Sequence, residues 1–174
     1  MTSTPNELSP GQYFHDDLSV GAFYQTGCIT IAEAHIVNFA GMSGDFFDVH
    51  MDDAFAQQLG FPKRIAHGLL GLCLIDGLKN RADVQLKAVA SLGWKEWTFH
   101  KPLFIGDSIW ATISVETMRL TSKGDRGIVE LGFDVQNQKN EQVQSGSNVL
   151  LMRRLEPDNQ SKSSVFQTPP SFAE

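Results

Sequence analysis

Residues 65–78 read IAHGLLGLCLIDGL, and the way this run is enclosed decides the fold. Leu69, Leu70, Leu72, Cys73, Leu74, Ile75 and Leu78 leave almost no polar face. An apolar run of this length favours a helix, because strands usually end within about 4–8 residues. A helix that is apolar nearly all round has to be covered nearly all round. Gly68, Gly71 and Gly77 each weaken the helix by about 1 kcal/mol relative to alanine. They suit places where a sheet or a ligand comes close to the backbone.

The segments C-terminal to this run supply the cover. Residues 87–99 carry Val89, Leu92, Trp94, Trp97 and Phe99 in imperfect alternation, with a bulge expected near Gly93. Ile109, Ala111, Ile113 and Val115 alternate with Trp110, Thr112, Ser114 and Glu116. Val129, Leu131, Phe133 and Val135 alternate with Glu130, Gly132, Asp134 and Gln136. Both are half-buried strands by the period of two. Lys123 to Gly127 and Gln138 to Glu141 read as hairpin turns, and Val143 to Arg153 as the last strand. Early helices and late consecutive hairpins indicate an α+β fold with an antiparallel sheet. A curved sheet wrapped round the long apolar helix is the economical arrangement.

Upstream, Thr30 and Glu33 have capping-box spacing, and Ile36, Phe39 and Ala40 continue at helical period until Gly41 and Gly44 provide a stop. A polar loop holds Asp45 to Asp53, and a short helix over Ala54 to Leu59 ends at Gly60. Residues 1–12 and 156–174 have the composition of disordered ends, leaving one domain over residues 13–155.

Composition narrows the function. Fourteen Lys plus Arg against twenty Asp plus Glu give a net charge of −6, a poor basis for nucleic-acid binding, which relies on basic neutralisation of phosphates. Cys28 and Cys73 are far apart and form no CxxC, which argues against a disulfide scaffold or a cysteine zinc site. No apolar stretch approaches the ~18 residues of a membrane span. The N-terminus has neither a basic segment nor an apolar core, so a cytoplasmic protein is expected. Ser43 is not in a GxSxG elbow, and no Gly-rich phosphate loop occurs. His15, His35 and His100 read as surface or packing residues, and Trp94, Trp97 and Trp110 as packing for the sheet or a subunit contact.

The chemistry-bearing stretch runs Ser43-Gly44-Asp45-Phe46-Phe47-Asp48-Val49-His50-Met51-Asp52. On a helix Asp45 and His50 would diverge by about 140°. In a loop that turns back they can converge as a carboxylate–imidazole pair, able to hold a water and move its proton. The alternative is that Asp45 orients the loop while His50 packs. Further on, Gly68 in Ala66-His67-Gly68 opens the apolar helix, where backbone N–H groups lack intrahelical partners. Such a donor can polarise a carbonyl oxygen. The alternative is a glycine needed only for helix–sheet packing. Asp45, Asp48, His50, Asp52 and Asp53 could be imagined as a divalent-metal cluster, but neither EF-hand spacing nor HExxH is present, and no metal is expected.

Phe39 to Leu72, FAGMSGDFFDVHMDDAFAQQLGFPKRIAHGLLGL, closely resembles the MaoC-like dehydratase family, which includes (R)-specific enoyl-CoA hydratases. Its pattern SGD-x-x-x-x-H-x-D, then GF-x-x-x-IAHG, is met by Ser43, Gly44, Asp45, His50 and Asp52, and by Gly60, Phe61, Ile65, Ala66, His67 and Gly68. Phe99, Pro102, Gly106 and Asp107 look like the family's F-x-x-P-x-x-x-GD segment. The resemblance spans most of residues 13–153. It implies a hot-dog fold, a homodimer or assembly of dimers, and action on an acyl-CoA thioester with no metal or organic cofactor. Asp45 and His50 would then activate water while the Gly68 N–H holds the thioester oxygen. Ser43, Phe46, Phe47, Asp48 and His67 are candidates for substrate contact. Lys63 and Arg64, with Lys95 and Lys101, are the nearest cations for the phosphates of coenzyme A. Typical relatives carry Asn-Pro where Phe47 and Asp48 stand here, so this turn and the acyl pocket beside it differ. The reaction implied is reversible hydration of a trans-2-enoyl-CoA to an (R)-3-hydroxyacyl-CoA. A hot-dog thioesterase and a non-catalytic acyl-CoA-binding protein are the alternatives, and an acyl-sensing DNA-binding protein is disfavoured by charge.

Overall fold

The structure, a computed structural model, describes residues 6–155. The C-terminal stretch 156–174, expected to be a disordered tail, lies outside the described residues, as do residues 1–5. In chain order the strands are β1 (Gly11–Tyr13), β2 (Phe23–Gln25), β3 (Ile29–Thr30), β4 (Val84–Leu86), β5 (Ala88–Phe99), β6 (Ser108–Leu120), β7 (Arg126–Asn137) and β8 (Gln142–Arg153). The helices are α1 (Glu33–Ser43), α2 (Asp48–Met51), α3 (Asp53–Gln58) and α4 (Gly68–Asn80).

The period-two strands build the wall of the core. The antiparallel sheet runs β2-β6-β7-β8-β5, with β3 also paired to β6. Ile109, Ala111 and Ile113 of β6 and Val129, Leu131 and Val135 of β7 are wholly enclosed on one face, together with Ile75 of α4. Burying a side chain such as Ile75 contributes about 1.5–3 kcal/mol. A helix held against a curved antiparallel sheet is the α+β hot-dog fold. The bulge expected near Gly93 is present as a register shift between Ser91 and Gly93, where β5 meets β8.

Five features depart from the sequence reading. The apolar run becomes helical only at Gly68 and continues to Asn80, because Ala66 N–H is drawn to Leu103 O at 2.7 Å and Ile65 bridges to Phe104. The described residues do not cover the helix all round: Leu69 is 58% exposed and Cys73 is exposed, which leaves one face open among them. Thr30 does not cap α1. It lies in β3 with its hydroxyl 2.7 Å from Ser108 Oγ, and Ala32 takes the cap position, its N–H donating to His35 Nδ1 at 3.1 Å. The loop expected over Asp45 to Asp53 contains α2, and α3 already begins at Asp53. Finally, residues 6–12 are not free of the fold. Leu8 N–H donates to Phe23 O at 2.8 Å, β1 pairs in parallel with β4, and Leu8 and Tyr13 pack on the core.

Candidate functional site

The site begins where α1 stops. Gly44 takes a left-handed φ of 79° and donates its N–H to Ala40 O, which turns the chain sharply into Asp45. Ser43 Oγ donates to Phe39 O at 2.7 Å and accepts Asp45 N–H at 3.2 Å, so this hydroxyl shapes the turn. Asp52 then caps α3, accepting Ala54 N–H at 2.7 Å, and α2 carries His50 back toward Asp45. One carboxylate oxygen of Asp45 and one ring nitrogen each of His50 and His67 lie within 4.8 Å of one another.

Hydrogen bonding fixes both imidazoles. His50 Nδ1 is 2.8 Å from Ile65 O, an acceptor only, so Nδ1 carries the hydrogen and Nε2 keeps its lone pair. His67 Nε2 is 2.9 Å from Asp45 O and is its donor for the same reason. The two rings stack at 3.9 Å with 29° between planes, and the Phe39 ring packs against His67 at 4.9 Å. Burial lowers the His50 pKa. The bond to Ile65 O and the Asp45 charge act the other way, and the nearby His67 adds to the lowering. A neutral His50 with an available Nε2 is a base.

His50 and Gly68 face one cavity of about 280 Å³, whose lining includes Phe61, Phe99, Leu103 and Gln144. The first amides of α4 to find a carbonyl are those of Leu70 and Gly71, both on His67 O at 3.1 and 3.3 Å. The Gly68 and Leu69 N–H groups have no partner among the described residues. A side chain at Gly68 would meet the Phe99 ring at 2.8 Å, so the close approach there excludes one.

Of the other candidates, Lys101 lines the same cavity, the Phe47 ring stands edge-on to His50 with centroids 6.3 Å apart, and the rest lie outside the lining. Phe46 and Phe47 are 58% and 56% exposed, and Asp48 is exposed in the first turn of α2. Lys63 donates to Ile105 O at 2.8 Å. Arg64 is held by Glu33 at 2.7 Å and by Asp53. Lys95 and Lys101 pair with Glu130 and Glu141. All four cations therefore already have partners within the chain. Of the acidic cluster weighed as a metal site, Asp52 is a cap and Asp53 accepts Arg64 N–H. Among the described residues the group able to offer metal ligands is Asp45, His50 and His67. His100 lines the cavity and bonds Ser145 Oγ at 2.7 Å.

Gln144 is the residue that sequence reasoning misses. It is 1% exposed, accepts Trp97 Nε1–H at 3.2 Å and donates Nε2–H to Gly68 O at 3.1 Å. A signal for it exists: Gln144, Asn148, Leu150 and Met152 share the inward face of β8 by the period of two, and the first two are polar.

Residues 19–137 match the family described as MaoC like domain. The (R)-specific enoyl-CoA hydratase of Aeromonas caviae is 35% identical over 86 residues, 49% of this chain and 63% of that protein. A solved structure from Archaeoglobus, described as a monoamine oxidase regulatory protein, superposes with TM-score 0.77 at 27% identity, covering 85% of this chain and 99% of that one. The unliganded R-hydratase PhaJ1 of Pseudomonas aeruginosa superposes with TM-score 0.67 at 28% identity, over 87% of this chain and 96% of that one. The chain spans between 36% and 63% of the length of the first curated relatives it matches. No helix among the described residues is long and apolar enough to cross a membrane.

Proposed function

The chain belongs to the MaoC-like domain family, and from that premise we propose that it hydrates a trans-2-enoyl-CoA reversibly to an (R)-3-hydroxyacyl-CoA. The observation that carries this reading is that His50 and Gly68 line one cavity and that a carboxylate oxygen of Asp45 lies within 4.8 Å of a His50 ring nitrogen. Asp45 and His50 hold one water. Its oxygen bonds to Cβ, its proton passes to the pair, and the Cα=Cβ electrons shift toward the thioester. The oxygen that gains charge is held by the Gly68 N–H, and the pair returns a proton to Cα. These roles call on no metal or organic cofactor. The acyl-CoA thioester is the partner, with Phe46, Phe47 and Asp48 at the open side of the turn available to contact it.

A second copy completes the proposed assembly. Among the described residues β5 has β8 on one side and no strand on the other, and it exposes Val89, Leu92 and Phe99 to 49%, 54% and 50%. The open face of α4 adds Leu69. A long apolar edge strand is a template for pairing, and a twofold contact would cover it.

The test is a set of short, branched and dicarboxylic enoyl-CoAs, each monitored by loss of conjugation, by trapping of free thiol and by chiral analysis of product. Hydration gives an R alcohol with the thioester intact. Release of coenzyme A would favour the thioesterase, and saturable binding without conversion the non-catalytic carrier.

A further inference from the structure

We propose that Gln144 is a positioning residue for the hydratase reaction: wedged between Trp97 and the first turn of α4, it sets the direction in which that turn presents its free amides to the thioester oxygen. This rests on the hydration reading and adds to it a residue from the far end of the chain.

The orientation of the Gln144 amide is dictated by its neighbours. An indole N–H can only donate and a peptide carbonyl can only accept. Trp97 Nε1 therefore takes Oε1, and Gly68 O takes Nε2–H. Reversing the amide would break both bonds. Nor can the side chain move aside, since Gln144 is 1% exposed and a methyl on Gly71 would stand 2.3 Å from its Nε2. Trp97 is braced in turn, packing on Trp94 at 5.0 Å and on Phe133 at 5.8 Å.

What this holds is the freest residue of the helix. Glycine has the widest backbone choice, and the first turn of a helix has the fewest internal bonds. Gly68 is gripped twice, by the Phe99 ring over its Cα and by Gln144 on its carbonyl. The Gly68 carbonyl belongs to the peptide whose N–H is that of Leu69, so this bond fixes the Leu69 amide directly and the Gly68 amide through the Cα that the Phe99 ring packs on. A donor works on a developing oxyanion only where it is held in advance. Gln144 also lines the cavity that His50 faces.

The test compares Gln144→Glu and Gln144→Met with wild type. Glutamate is nearly isosteric. Ionised, it still accepts Trp97 N–H but sets an oxygen against Gly68 O. Protonated, it donates again. Its kcat on crotonyl-CoA, taken relative to wild type at the same pH, is expected to fall on the order of tenfold to a hundredfold at neutral pH, and the ratio to recover as the pH is lowered, with KM little changed. A glutamine held only for packing gives no such recovery. Gln144→Met, with no donor, is expected to lose kcat at every pH. The infrared carbonyl band of bound crotonyl-CoA should move back toward its free frequency in both variants at neutral pH. If either variant fails to fold by near-UV circular dichroism, the other carries the test. Wild-type kcat and carbonyl band in a folded variant overturn the assignment and leave the hydratase reading standing. A wild type inert toward every enoyl-CoA overturns the reading and this inference with it.

Discussion

Gly68→Ala puts the fold and the chemistry in opposition at one atom. Gly68 has no positive φ, so the backbone accepts alanine, and a helix gains about 0.5–1 kcal/mol from the exchange. The new methyl, however, would stand 2.8 Å from the nearest carbon of the Phe99 ring, with two more ring carbons at 2.9 Å. To reach an ordinary contact of about 3.5 Å, ring and helix must part by roughly 0.7 Å. Overpacking of this kind costs about 1–3 kcal/mol, so the net loss of stability is expected near 1 kcal/mol. For a chain of this size that lowers the melting temperature by about 2–4 °C. The catalytic effect is larger. A shift of most of an ångström in the amide that holds the thioester oxygen should lower kcat/KM about a hundredfold. Purified variant and wild type are compared by thermal melting and by the loss of enoyl absorbance. A variant that melts as expected yet hydrates at the wild-type rate would refute the role given to this amide.

Asp45→Asn should leave the melting temperature nearly unchanged, because the side chain is exposed, while lowering kcat by about 10²–10⁴, read in the same assay. Since burial depresses the His50 pKa, the acid limb of kcat/KM should lie below the range where an ordinary histidine titrates. The same depression makes stability pH-dependent: His50's contribution is present above the ordinary histidine pKa and is lost as pH falls through the depressed value, because the unfolded chain takes up the proton more readily. Melting curves across this range should therefore slope more steeply for wild type than for His50→Gln. Lys79, 8% exposed, donates to Asp76 at 2.6 Å and to the wholly buried Asn148 at 3.3 Å. Lys79→Met leaves Asn148 Oδ1 without that donor and should cost about 1–3 kcal/mol in urea unfolding, whereas Asp76→Asn, on a half-exposed partner, should cost less.

Period and length make the strands and the central helix legible, because they report which side chains must be buried. Ile109, Ala111 and Ile113 alternate in the sequence as they do in the sheet. The start of α4 is not legible: Ile65 and Ala66 are as apolar as the helix itself, and only their pairing to Leu103 and Phe104, almost forty residues on, keeps them extended. Thr30 misleads for a similar reason, since capping-box spacing does not reveal that Ser108 competes for the hydroxyl. Leu69 and Cys73 are a different case. They call for a cover that the described residues do not supply. In the site, the spacing of Asp45 and His50 allows convergence without dictating it, and the Gly44 turn and α2 bring it about. The partners of Lys63 and Arg64 come from distant positions, the Ile105 carbonyl and the Glu33 carboxylate, so their engagement is hidden as well.

Whether Asp45 and His50 act as one device is answered most directly by a kinetic cycle of Asp45→Asn, His50→Gln and the double variant, each assayed for hydration of one enoyl-CoA. Groups that share a single water fail together. The double variant is expected to be about as slow as the slower single one, with the thioester intact in every product. Losses that multiply, or single variants that hydrate at the wild-type rate, would contradict a shared water between the two side chains.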